Sequence, residues 1–105
     1  MFLARVVGTV VSPVQHPALE GERLLLLRVL APDGTPAGKT RIALDRAGAG
    51  PGEHVLVLDE GNSGRQLVGR ADAPVKTVIV GVVDYVETHG RLVYDSRDGS
   101  TAASD

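Results

Sequence analysis

From residue 2 to residue 12 the chain alternates. Ala4, Val6, Gly8 and Val10 are small or apolar, and Leu3, Arg5, Val7, Thr9 and Val11 between them are mixed. A period of two with one drier side marks a half-buried strand, because successive side chains leave a pleated backbone on opposite faces. Pro13 and Pro17 end the pattern and predict a loop over residues 12–22. The next run, residues 23–31, puts Leu25, Leu27, Val29 and Ala31 on one face and Leu24, Leu26, Arg28 and Leu30 on the other. Leucine favours helix, so this run is ambiguous on local grounds. Its shortness and the Pro32-Asp33-Gly34 turn that follows favour a strand entering a hairpin. Residues 39–45, with Ile42 and Leu44 on one face, are the expected returning strand.

A tight glycine-rich connection, residues 47–53, leads to a fourth strand over residues 54–59, where Val55 and Val57 alternate with Leu56 and Leu58. Gly61-Asn62-Ser63-Gly64-Arg65-Gln66 reads as a turn that opens one short helical piece, with Asn62 or Ser63 as its N-cap. Residues 69–74 read as a loop. Residues 77–86 read as a fifth strand. Val78, Ile79, Val80, Val82 and Val83 make it apolar on both faces, so it is expected to be covered on both sides, by its own fold or by a neighbouring copy. A last short strand, residues 91–94, follows a His89-Gly90 turn. Residues 96–105 are polar and poor in apolar side chains, which predicts a disordered tail. The sum is an all-β domain over residues 1–95: a small, five- to six-stranded, OB-like β-barrel with at most one short helix.

Composition supports strands. Sixteen residues are valine and two isoleucine, with thirteen glycines and six prolines as punctuation. Valine is stiff at its first side-chain torsion and suits a pleated surface. The three aromatics (Phe2, Tyr85, Tyr94) leave the core to small aliphatics. At 105 residues, the chain holds one modest core. A net charge of −2 gives it no attraction to nucleic acid or to an anionic membrane. There is no cysteine, which excludes disulfides and thiolate metal sites. The first residues lack the basic-then-apolar order of a signal peptide, and no apolar run approaches the ~18 residues of a membrane span, so the cytosol is the expected compartment.

Few residues are candidates for chemistry. Gly48-Ala49-Gly50-Pro51-Gly52 has glycine spacing like that of a phosphate loop, but no Gly-Lys-Ser/Thr, and a strand follows it where an anion site needs a helix N-terminus. A tight turn needing positive φ is the favoured reading. His16, His54 and His89 lie in or beside three different loops without ligand spacing, and read as surface or packing residues. Asp59 and Glu60 are adjacent, so on a strand they point to opposite faces and cannot share a proton. No serine has a histidine at motif spacing. No catalytic, cofactor or metal residue is nominated.

Four segments, in order, resemble the family of bacterial microcompartment vertex proteins (EutN/CcmL-type) found in carboxysomes and ethanolamine-type compartments. They are Phe2-Leu-Ala-Arg-Val-Val-Gly-Thr-Val-Val11; Leu19-Glu-Gly-Glu-Arg-Leu-Leu-Leu-Leu27; Ala43-Leu-Asp-Arg-Ala-Gly-Ala-Gly-Pro-Gly-Glu-His-Val-Leu-Val57; and Gly61-Asn-Ser-Gly-Arg65 with Pro74-Val-Lys-Thr-Val-Ile-Val-Gly-Val-Val-Asp84. Pro13, Gln15 and Lys76 depart from the family's usual residues. The resemblance implies a cyclic homopentamer at the five-fold corners of a polyhedral shell, contacting hexameric shell tiles, with no enzymatic activity. It also implies contact residues at the subunit interface or five-fold axis: Asp45, Gly48, Ala49, Gly50, Gly52, Gly61, Asn62, Ser63, Arg65, Val80 and Asp84. Arg65 is expected to bond carbonyls or a carboxylate of the adjacent subunit, with Asp45 and Asp84 as candidate partners; the plainer readings are a solvated arginine and, for each aspartate, a local turn cap. The competing function for a barrel of this kind is an OB-like module for single-stranded nucleic acid or a small ligand. That reading normally calls for aromatics interleaved with a basic stripe.

Overall fold

The computed structural model describes residues 1–11, 17–19, 21–59, 77–97 and 100–101. Among them the chain forms β1 (Phe2–Val10), β2 (Leu24–Leu30), β3 (Pro36–Asp45), β4 (His54–Leu58) and β5 (Val78–Val82), then β6 (Tyr85–Thr88), β7 (Arg91–Asp95) and β8 (Ser100–Thr101). A 3-10 turn, Pro17–Leu19, lies within the loop expected there. The first five strands close a barrel in the order β1-β2-β3-β5-β4. The closing β3–β5 pair is parallel and short, with Leu44 beside Val78 and Asp45 beside Ile79, and the other neighbours are antiparallel. The all-β barrel expected from the sequence is therefore present. Ala4, Val6, Leu25, Leu27, Ala43, Val55, Val57 and Ile79 fill it, and Phe2 packs against them. Burying one such leucine fully contributes roughly 1.5–3 kcal/mol.

Bulges redirect the predicted faces. β1 carries an extra residue between Val6 and Gly8, so Ala4 and Val6 stay in the core while Gly8 aligns with Leu26 and Val10 with Leu24 on the outer side. One inserted residue exchanges the two faces of a strand, which is why the predicted Ala4–Val10 face divides. On β3 the core residue is Ala43, while Ile42 and Leu44 share the outer face as expected; Leu44 is nevertheless fully buried and Ile42 is exposed.

The fifth strand differs from its expected form. It splits into β5 and β6 at Val83–Asp84. β4 begins at His54, whose carbonyl accepts the Val83 amide at 2.8 Å, and past that bond no β4 remains to pair with. β6, β7 and β8 form a separate antiparallel sheet. Its first turn is His89-Gly90, with φ of 53° and 75°, the two positive values a tight hairpin turn uses. Ser100–Thr101 pairs with Asp95 and Tyr94 where polarity predicted no structure, because a backbone ladder on the free edge of β7 needs no apolar side chain. Residues 102–105 lie outside the described residues.

A ring stack joins the small sheet to the barrel. Tyr94 of β7 lies flat on His54 of β4, with centroids 3.6 Å apart and 9° between the planes. Both residues are buried, and burial pushes the Tyr94 phenol above its ordinary pKa. The Thr88 hydroxyl adds a bond to the Pro32 carbonyl at 3.4 Å.

Candidate functional site

One mouth of the barrel is closed by residues 46–53. Asp45 ends β3 with a side chain only 2% exposed. Its carboxylate accepts the Ala47 amide at 3.0 Å and the Ala49 amide at 3.0 and 3.2 Å, and the Arg23 guanidinium donates to it at 3.1 Å. The same Arg23 nitrogen donates to the Ala49 carbonyl at 2.8 Å. The Glu53 side chain takes the Gly50 amide, and the Glu53 amide bonds back to the Gly50 carbonyl at 3.2 Å. Gly52 donates to the Val6 carbonyl at 2.9 Å, and Val6 donates to the Glu53 carbonyl at 3.0 Å. Gly48 and Gly52 have φ of 72° and 82° with open space where a Cβ would stand, so backbone conformation and not crowding calls for glycine. Ala49 is fully buried against the core. An anion cradle presents unpaired amides. Here the amides of residues 47, 49 and 50 already point at this chain's own carboxylates, whose charge repels a second anion.

Arg41 closes the other end. Its guanidinium stands 5.4 Å over the Phe2 ring and donates to Asp59 at 2.6 Å and to the Thr77 hydroxyl at 3.1 Å. That hydroxyl donates in turn to Asp59 at 3.0 Å. The Arg41 guanidinium chiefly, helped by Thr77 against partial burial, holds the Asp59 carboxyl below the usual carboxylate range. Sequence reading missed this trio. Arg41 and Asp59 are 18 residues apart and Arg41 and Thr77 are 36, so no local spacing reveals them.

Asp45, Gly48, Ala49, Gly50 and Gly52 thus come together in one loop. Val80 is half-buried on β5, and Asp84 is exposed at the bend that follows. Asp84 lines a cleft of about 450 Å³ with Tyr85, Asp95, Ser96 and Arg97. Arg97 bonds Asp95 there and holds its carboxyl down at about 2. Gly61, Asn62, Ser63 and Arg65 lie outside the described residues, as do the short helical piece and His16. The proposed Arg65 pairings lie outside them too.

The outer wall of the barrel carries apolar rows the sequence reading did not single out. Leu3 is aligned with Leu30 on one side and Leu56 on the other, and Leu56 with Gly81. A second row runs Gly8–Leu26–Ile42 across β1, β2 and β3, and Ile42 is 52% exposed. The signal was available: Leu24-Leu-Leu-Leu27 is apolar on both faces, as residues 78–83 are.

Known proteins share this architecture and much of this sequence. The family model described as ethanolamine utilisation protein EutN/carboxysome matches residues 1–84. The bacterial microcompartment shell vertex protein EutN of Escherichia coli K12 is 37% identical over 94 residues, covering 90% of this chain and 98% of that one. The solved structure of Gloeobacter violaceus CcmL matches at TM-score 0.85 and 36% identity, covering 93% of this chain and 100% of that one. The GrpN pentameric microcompartment shell protein from Rhodospirillum rubrum matches at TM-score 0.74 and 40% identity, covering 84% of this chain and 99% of that one. These relatives are named as shell proteins, not as enzymes. With matches that run through the barrel and most of the chain, this protein belongs to the EutN/CcmL family.

Proposed function

We propose that this chain is a structural shell protein of a bacterial microcompartment, in the cytoplasm, and that it assembles into a homopentamer capping the five-fold vertices. The observation that carries this reading is the likeness to GrpN, a pentameric shell protein matched over nearly its whole length. The geometry supports it. The barrel ends are closed by the chain's own ion pairs, and apolar side chains are left on the outside wall. A head-to-tail contact whose rotation closes after five copies gives a ring and not a filament. A flat sheet of hexagonal tiles cannot close without such five-fold units, so the partners in the shell are hexameric tile proteins. Co-assembly tests the role: with hexameric shell tiles the chain yields closed polyhedra, and without it open sheets or tubes. Particles that close equally well in its absence refute the capping role.

A further inference from the structure

We propose that the ring contact is made by two different apolar patches of the barrel wall: the exposed row ending at Ile42 on one copy enters the groove around Leu3, Leu30 and Leu56 on the next. This rests on the ring reading above and adds which surfaces meet. A closed ring built head to tail needs two unlike patches on each protomer, one for each neighbour. Among the described residues, the register of the barrel wall brings together two. The first is the groove, about 390 Å³, lined wholly by Met1, Phe2, Leu3, Leu30, Pro32 and Leu56. Its floor follows from register. Leu3 and Leu56 alternate with the core residues Ala4, Val55 and Val57, so they stand on the outside; Leu30, aligned with Leu3, lines the groove but is itself buried, and Gly81 beside Leu56 keeps one flank low. The second is the Gly8–Leu26–Ile42 row, where glycine again leaves one end low and Ile42 stands clear at the other.

The two patches share β1 and β2, but one runs on to Leu56 of β4 and the other to Ile42 of β3, and they lie at different levels of the wall. Leu30 and Leu26 are four residues apart on β2, roughly 13 Å along a strand. They therefore have distinct neighbours to meet. The groove is large enough for an isoleucine side chain, and leaving either patch in water forfeits the gain from burying apolar area. Among the described residues, the pairing of β3 with β5 is confined to Leu44 and Asp45.

The chain has no cysteine, so cross-linking reads the contact directly. The double variant Ile42→Cys/Leu56→Cys, treated with oxidant or a short bis-maleimide, is expected to give a covalent ladder ending at five chains. Each single variant is expected to stay uncross-linked, since unlike patches never bring two copies of the same residue together. Native mass spectrometry of the untreated double variant confirms that it still assembles. A five-membered ring without the ladder overturns this pairing and leaves the ring reading intact. A dimer from either single variant overturns it as well, by showing a like-to-like contact. Failure of the unmodified protein to form any ring refutes both.

Discussion

Replacing Asp45 by alanine tests whether the glycine loop is held by the chain's own carboxylate. The substitution removes the acceptor for two backbone amides and for Arg23 at once. The Ala49 amide belongs to a fully buried residue, so water cannot substitute for the lost partner. A bond to a charged acceptor contributes about 1.5–3 kcal/mol, and an orphaned buried donor costs about 1–3 kcal/mol. Arg23 is half exposed, so its ion pair adds less than about 1 kcal/mol. Asp45→Ala is therefore expected to cost about 3–5 kcal/mol, a large part of the ~5–15 kcal/mol that holds a domain folded. With a urea slope near 1.5 kcal/mol/M, the unfolding midpoint falls by about 2–3 M. Arg23→Ala is the control and is expected to move it by well under 1 M. Both are measured at one protomer concentration, because association adds to the apparent stability of a ring. If Asp45→Ala shifts the midpoint no further than Arg23→Ala, the amides are not what Asp45 holds, and the account of the loop is wrong.

Two further outcomes follow from the fold. Leu27→Ala empties a fully buried site in the barrel and is expected to cost about 2–5 kcal/mol by chemical denaturation; a loss below about 1 kcal/mol shows that the core collapses around the gap. Asp95 has its folded-state pKa depressed from 3.8 to about 2 by Arg97, so its ionised form stabilises the fold above about pH 4 and loses that contribution as pH falls toward 2. The unfolding midpoints of the unmodified protein and Asp95→Asn should differ near neutral pH and converge at about pH 2; a gap that persists there shows that the effect is not one of charge.

Much of the barrel was legible because its core follows the strand period. Ala4, Val6, Leu25, Leu27, Val55 and Val57 are all inside as their alternation implied. The loop after β3 was legible as well, since Gly48 and Gly52 sit before a strand and not a helix. What escaped was set by pairing between strands. The bulge after Val6 and the end of β5 at Val82 depend on where the partner strand runs, and no residue near either position announces them. The Arg41–Asp59–Thr77 trio and the His54–Tyr94 stack escaped for the same reason: each joins residues far apart in sequence. Ile42 and Leu44 show the limit most plainly. They share a face and a similar size, yet Leu44, which is paired with Val78, is buried while Ile42 is exposed, and that pairing is not written in the local sequence.

Perturbed acids tend to cluster where chemistry is done. Here they do not. Asp33 is lowered by the Thr35 hydroxyl, Asp59 by Arg41 and Asp95 by Arg97, in separate parts of the molecule, each by a dedicated partner nearby. Among the described residues, every buried side-chain nitrogen or oxygen has a hydrogen-bond partner. Among the described residues the buried polar groups are consumed by one another, and the Asp45 and Arg41 groups tie each end of the barrel to its own strands. What the single chain leaves incomplete is apolar: Ile42, Val7 and Val82 on strands of the barrel, Tyr85 and Leu92 on the small sheet. Unburied apolar area is relieved by another surface and not by a reaction. A barrel whose polar account is settled internally and whose outer wall is not has its remaining free energy to gain by meeting a neighbour.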